Sequence, residues 1–72
     1  MRFILKGHRS HGVPVVPEFY DTEEAAKGRA FELLHNEGSG ITVEIWLEGT
    51  HKRLHDSAEM EKEYLEREHA TL

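Results

Sequence analysis

Histidine is the residue type in this chain with the widest range of chemistry, and six histidines occur among its 72 residues. Four of them form two pairs, His8-x-x-His11 and His51-x-x-x-His55, which together equal the four ligands of a structural zinc site. On a strand, however, His51 and His55 would lie about 13 Å apart at ~3.3 Å per residue, too far to share one ion. We therefore expect the histidines to face solvent, and we predict no metal and no other cofactor. Histidine-based metal binding is a further alternative that requires residues 51–55 not to form a strand.

A basic cluster, composed of Lys6, His8, Arg9 and His11, coincides with a loop that we predict between Gly7 and Gly12. These side chains could contact phosphate, but the loop lacks the Lys-Ser/Thr ending of a phosphate-binding loop and does not lead into a helix. The net charge of −5 also argues against general binding to nucleic acid or to anionic membranes. We interpret the cluster as a flexible hairpin tip, with nucleic-acid binding as the alternative.

Nucleophilic catalysis has no recognisable basis in the sequence. Ser10, Ser39 and Ser57 have no base and orienting group at a known spacing, and no pair of carboxylates is predicted to be buried. A chain this short also has little room for a cleft that excludes water. We therefore predict that the protein is not an enzyme.

Acidic residues are concentrated between Glu59 and Glu68, with Lys62 and Arg67 interspersed. Such a pattern is typical of a solvated helix face with i,i+4 ion pairs. A further alternative is that Glu59, Glu63 and Glu66 form a negative row that mimics nucleic acid and inhibits a basic partner.

The elements that must position these residues are best defined at 41–48, where apolar and polar residues alternate as in a strand with one buried face. Further strands are predicted at 2–6, 13–20 and 51–55, and helices from Asp21 to about Asn36 and from 56 to about 70. Pro14 and Pro17 assign the second strand to a sheet edge. Asp21 is the predicted cap of the first helix, with Glu24 at the capping-box position.

The dipeptide Gly49-Thr50 predicts a two-residue hairpin turn. In that register Trp46 lies opposite Arg53, and Glu44 lies opposite His55, so both pairs would interact on the outward face of the sheet.

The order of elements predicts an α+β fold, a ββαββα two-layer domain with a four-stranded antiparallel sheet in the order 2-1-3-4. We treat 1–72 as a single small domain, with a weak internal ββα repeat between 1–38 and 41–72. The first helix should pack on the core through an apolar stripe of Ala26, Ala30, Leu33 and Leu34. The second, acidic C-terminal helix has only a weak apolar stripe, and its docking on the sheet, on a second chain or on neither is left open. That stripe consists of Ala58, Met60, Tyr64, Leu65 and Leu72.

The outward face of the sheet combines an aromatic residue with charges of both signs, a composition typical of interaction hot spots. We therefore expect a small non-enzymatic protein-interaction module that binds another protein, or a second copy of itself as a homodimer. The acidic C-terminal helix is a second candidate surface. The predicted partner-binding residues are Ile4, Glu44, Trp46, Arg53 and His55.

The cellular location follows from composition. The chain contains no cysteine, which fits a reducing compartment, and its N-terminal apolar run of Phe3, Ile4 and Leu5 is too short for a signal peptide or a membrane span. We expect a cytoplasmic protein with no membrane partner.

Overall fold

The computed structural model describes residues 2–70, with side chains through residue 68. In chain order the elements are β1 (Phe3–Arg9), β2 (Glu18–Tyr20), α1 (Glu23–Glu37), a short 3-10 turn (Gly38–Gly40), β3 (Ile41–Leu47), β4 (Arg53–His55) and α2 (Ser57–Ala70). The strands form one antiparallel sheet in the order β2-β1-β3-β4. This arrangement confirms the predicted α+β fold and strand order. Leu72, the last residue of the predicted stripe, lies outside the described residues.

Both helices pack on the same face of the sheet. The four buried side chains of α1, Ala26, Ala30, Leu33 and Leu34, are those predicted from its apolar stripe. They share one core with Leu5 of β1, with three residues of β3 and with Met60 of α2, which is 0% exposed. Asp56 caps α2, because its Oδ1 accepts the backbone N–H of Glu59 at 2.8 Å. The docking of α2 that the sequence left open is therefore resolved: α2 lies beside α1 and is held to the core through Met60.

The first two strands differ in length from the prediction. β1 continues to Arg9, because residues 7–9 pair with residues 41–43 of β3 and half of the predicted loop is strand. Conversely, β2 is limited to Glu18–Tyr20, so that Pro14 and Pro17 both lie outside the paired region. Since proline cannot donate a ladder hydrogen bond, pairing begins only after Pro17.

The start of α1 is displaced by one residue from the prediction. Thr22, rather than Asp21, is the cap: its Oγ1 accepts the backbone N–H of Ala25 at 3.1 Å. Glu24 therefore occupies the second position of the helix and not the capping-box position. At the other end, Gly38 has a φ of 60° and donates its N–H to the carbonyl of Leu34, a conformation that side-chain-bearing residues rarely adopt.

The hairpin between β3 and β4 contains a β-bulge that the predicted register omitted. Trp46 does pair with Arg53, but Ile45 pairs with His55 instead of Leu54. The turn also differs, since the carbonyl of Leu47 accepts the N–H of Thr50 at 3.3 Å. This places Gly49, with a φ of 80°, third in the turn rather than first in a two-residue loop.

None of the helices within residues 2–70 combines the length and apolar composition needed to cross a membrane.

Candidate interaction surface on the sheet

The face of the sheet opposite the helices, which we call the outer face, carries a row of side chains that crosses all four strands. Phe19 of β2 lies opposite Ile4 of β1, Ile4 lies opposite Trp46 of β3, and Trp46 lies opposite Arg53 of β4. Directly paired residues of antiparallel strands project to the same side. Because the neighbouring pair Leu5–Ile45 is buried beneath the helices, the row must face away from them.

Trp46 is the centre of a polar and cationic network. The Nζ of Lys6 lies 4.4 Å from the Trp46 ring centroid, and the Cζ of Arg53 lies 6.0 Å from it. Glu44 connects Trp46 with Arg53, since one carboxylate oxygen accepts the indole N–H at 3.3 Å and the other accepts an N–H of Arg53 at 3.0 Å. Cations at these distances interact favourably with the ring quadrupole. The indole is therefore fixed in one orientation while part of it stays accessible.

Arg2 makes a similar arrangement around Phe19. Its Cζ lies 4.7 Å from the Phe19 ring centroid, and the ring is 49% exposed. The same guanidinium donates two hydrogen bonds to Glu48, both at 2.7 Å. This bidentate pairing holds the pKa of the Glu48 carboxyl below its usual value, chiefly through the hydrogen bond from Arg2. Both aromatic side chains of the row thus carry a cation on the ring.

The outer face also differs from the helices in charge. Three basic residues (Arg2, Lys6 and Arg53) and two acidic residues (Glu44 and Glu48) surround the row. By contrast, α1 and α2 together contain nine acidic and four basic residues. The acidic character of the chain is therefore concentrated on the helical layer, and the outer face is close to balanced.

His55 does not belong to this surface, so the expected pair between Glu44 and His55 is wrong. The side chain of His55 is 18% exposed, and its Nε2 lies 2.8 Å from a carboxylate oxygen of Glu23 at the start of α1. The physical reason is the bulge, which adds a residue to β4 at Leu54. The extra residue places the His55 side chain on the helical side of the sheet. Of the five predicted partner-binding residues, Ile4, Glu44, Trp46 and Arg53 share the outer face.

The four residues of the predicted basic cluster are separated by the extension of β1. Lys6 and His8 lie on the outer face, opposite Glu44 and Thr42. Arg9 points to the helical side, where it donates to both carboxylate oxygens of Glu37, at 2.6 and 2.9 Å, and to the carbonyl of Val13 at 2.7 Å. His11 is exposed in the connection after β1. The strongest cation of the cluster is thus already bound within the protein.

Within the part of the chain that the structure describes, no group of three or more histidine, cysteine or acidic side chains is placed to hold a metal ion. The two histidine pairs lie far apart along the sheet. His8 pairs with Thr42 near the start of β3, whereas His51 lies in the connection that follows the end of β3. Among the described side chains, moreover, none that is polar or charged is buried.

Aromatic and charged side chains bridge the seam between the helices, and two open pockets lined by Gly28 and Phe31 lie along it. The rings of Phe31 and Tyr64 stack with centroids 6.4 Å apart, and the Cζ of Arg67 lies 4.7 Å from the Phe31 centroid. Lys27 binds Glu63 across the seam at 3.3 Å. Glu63 is therefore engaged with α1 and is not part of a free acidic row on α2.

Phe19 is the aromatic residue of the outer face that sequence reasoning missed. Its three-residue strand follows Pro17, and nothing in that short segment indicates which face Phe19 occupies. The signal lies in the pairing of Phe19 with Ile4, which requires knowledge of the register.

Comparison with known proteins adds no further assignment: no protein-family model, no curated protein and no solved structure matches this chain.

Proposed function

We propose that this protein is a small non-enzymatic interaction module that binds a protein partner through the outer face around Trp46. The observation that carries the proposal is the position of α2. Because α2 packs beside α1, with Met60 in the common core, no described residue of the helices covers the Phe19–Ile4–Trp46 row.

The composition of the row supports a protein partner. Tryptophan and arginine are the residues most enriched in interaction hot spots, where an apolar centre is bordered by polar groups that satisfy one another. Here Trp46 and Ile4 form the centre, while Arg53–Glu44 and Arg2–Glu48 form the border. Side chains already held by ion pairs lose less conformational freedom on binding, which favours affinity.

Other observations favour a binding role over catalysis or nucleic-acid recognition. A carboxyl group that acts as a general acid or base near neutral pH commonly depends on burial to raise its pKa, and none of the described charged side chains is buried. The engagement of Arg9 by Glu37 leaves the basic cluster without its arginine for a phosphate.

We propose the cytoplasm as the location, in keeping with the absence of cysteine.

Affinity capture tests the proposal. The wild type, Trp46→Ala and Leu65→Ala are immobilised and exposed to a nuclease-treated lysate of the organism that encodes the chain, and retained proteins are quantified by mass spectrometry. Leu65 is the matched control, because it is a large apolar side chain, 50% exposed, on the opposite layer. We expect proteins that bind the wild type and Leu65→Ala but not Trp46→Ala. Identical sets from all three folded variants would contradict the proposal.

A further inference from the structure

The two central strands present complementary residues at equal levels on the outer face. Three directly opposed pairs are relevant. Ile4 lies beside Trp46 and Lys6 beside Glu44 on β1 and β3, and Arg2, just before β1, lies beside Glu48, just after β3. Arg2 and Lys6 thus each have an acidic residue at their own level on the neighbouring strand, and the two apolar residues lie between these charged pairs. This arrangement is self-complementary, as an interface between two identical copies requires.

We propose that the partner of the outer face is a second copy of this chain, joined by a two-fold axis that runs parallel to the strands, midway between β1 and β3. This inference rests on the proposed function, since it uses the same surface. Rotation about that axis places β1 of one copy over β3 of the other and leaves each residue at the same level along the strand. Ile4 then meets Trp46 of the second copy, Arg2 meets its Glu48, and Lys6 meets its Glu44.

The flanking strands agree with the same axis. β2 of one copy lies over β4 of the other, which brings Phe19 to Arg53 of the second copy. This contact would place a cation on the half-exposed ring from across the interface. Facing sheets pack about 10 Å apart with their strands within roughly 30° of each other, a distance that these long side chains span from both sides.

A two-fold axis perpendicular to the strands, which also brings the outer faces together, gives the opposite result. An axis perpendicular to the strands at the level of Ile4 would place Arg2 against Lys6 of the second copy and Glu48 against its Glu44. Each charge would then meet a charge of the same sign, which disfavours association strongly. The charge pattern therefore selects the axis parallel to the strands.

The overall charge distribution favours self-association over a strongly charged partner. The outer face carries three basic and two acidic residues, so neither an acidic nor a basic surface would be matched across all of it. A chain of this length also buries little core by itself, and most soluble oligomers are symmetric assemblies of one chain. A second copy carries the same mixed charges, and its binding would bury additional apolar surface.

Paired charge reversals test the proposed axis. Arg2→Glu places two acidic residues across each symmetry-related contact, and Glu48→Arg places two basic residues there. In a mixture of the two variants, every cross-interface contact is again between opposite charges, although within each chain residues 2 and 48 still repel. Sedimentation velocity on the wild type, each variant and the equimolar mixture, with native mass spectrometry to identify heterodimers, reports the assembly directly.

We expect a dimeric wild type, single variants whose self-association is at least about tenfold weaker, and a heterodimer in the mixture. The double variant Arg2→Glu/Glu48→Arg, which restores the pair within one chain as well, should also dimerise. A double variant that dimerises alongside a mixture that does not would overturn the proposed axis, because the pair would then act only within the chain. Circular dichroism confirms that each variant is folded.

Two outcomes separate this inference from the proposed function. A wild type that stays monomeric up to a concentration of about 1 mM overturns the dimer. If such a monomer still retains a partner that Trp46→Ala loses, the sheet-face function stands. A dimer that Trp46→Ala and Arg2→Glu both leave unchanged, with unchanged captured proteins, overturns both.

Discussion

Replacing Gly28 with alanine should stabilise the protein, although glycine occupies the middle of α1. The residue is exposed, and a Cβ added at this position would meet no atom within 4 Å. The substitution therefore removes no contact and creates no clash. What remains is the difference in helix propensity, because alanine loses less backbone entropy than glycine when the helix forms.

The expected gain is about 0.8–1.0 kcal/mol in the free energy of unfolding, the propensity difference between glycine and alanine in a helix interior. For a domain of this size, such a gain raises the melting temperature by roughly 4–8 °C. Thermal melts followed by circular dichroism, with urea titrations at one fixed protein concentration, measure both quantities. The fixed concentration is needed because self-association shifts the apparent stability.

Gly38→Ala is the matched control, since it adds the same methyl group into equally open space. Here the combination of a φ of 60° with a ψ of −130° is a conformation that costs an alanine on the order of 1–3 kcal/mol. The two substitutions should therefore change the melting temperature in opposite directions. A melting temperature that is unchanged or lowered by Gly28→Ala would refute the reasoning and would indicate that the open space beside Gly28 is occupied in solution.

The remaining predictions concern the attachment of α2 and the response to acid. Met60→Ala should lower the free energy of unfolding by about 2–5 kcal/mol, because it empties a fully buried site. Leu65→Ala, at an exposed site, should lower it far less. Urea titrations measure both values, and similar values would contradict the docking of α2. Arg9 holds the pKa of the Glu37 carboxyl below its usual value, chiefly by hydrogen bonding. The stability that this pair contributes is therefore present at pH values above the usual glutamate pKa. It is lost as the pH falls through the lower pKa of the folded state. Thermal melts across the acid range should show a shallower loss of stability for Glu37→Gln than for the wild type, and Glu66→Gln, which alters an exposed glutamate of α2, is the control that should follow the wild-type curve.

Much of the candidate surface could be predicted because strand periodicity is a local property. Once 41–47 is recognised as a strand with its buried face on Val43 and Ile45, Trp46 must project to the other side. Ile4 and Arg53 followed from the same alternation and from the hairpin. His55 could not be placed in this way, because a single extra residue in β4 reverses the side on which every later residue lies.

The sequence by itself determined the order of elements, the buried face of β3, the core residues of α1 and the edge position of the proline-containing second strand. These features depend on periodicity, on helix caps and on missing backbone donors, all of which act over a few residues. Only the tertiary structure decided that α2 lies beside α1 and that β1 reaches Arg9, because the weak apolar stripe of α2 and the glycine at position 7 permit more than one arrangement locally. The burial of Met60 and the pairing of residues 7–9 with β3 select one of them, and that selection leaves Trp46 on an uncovered face.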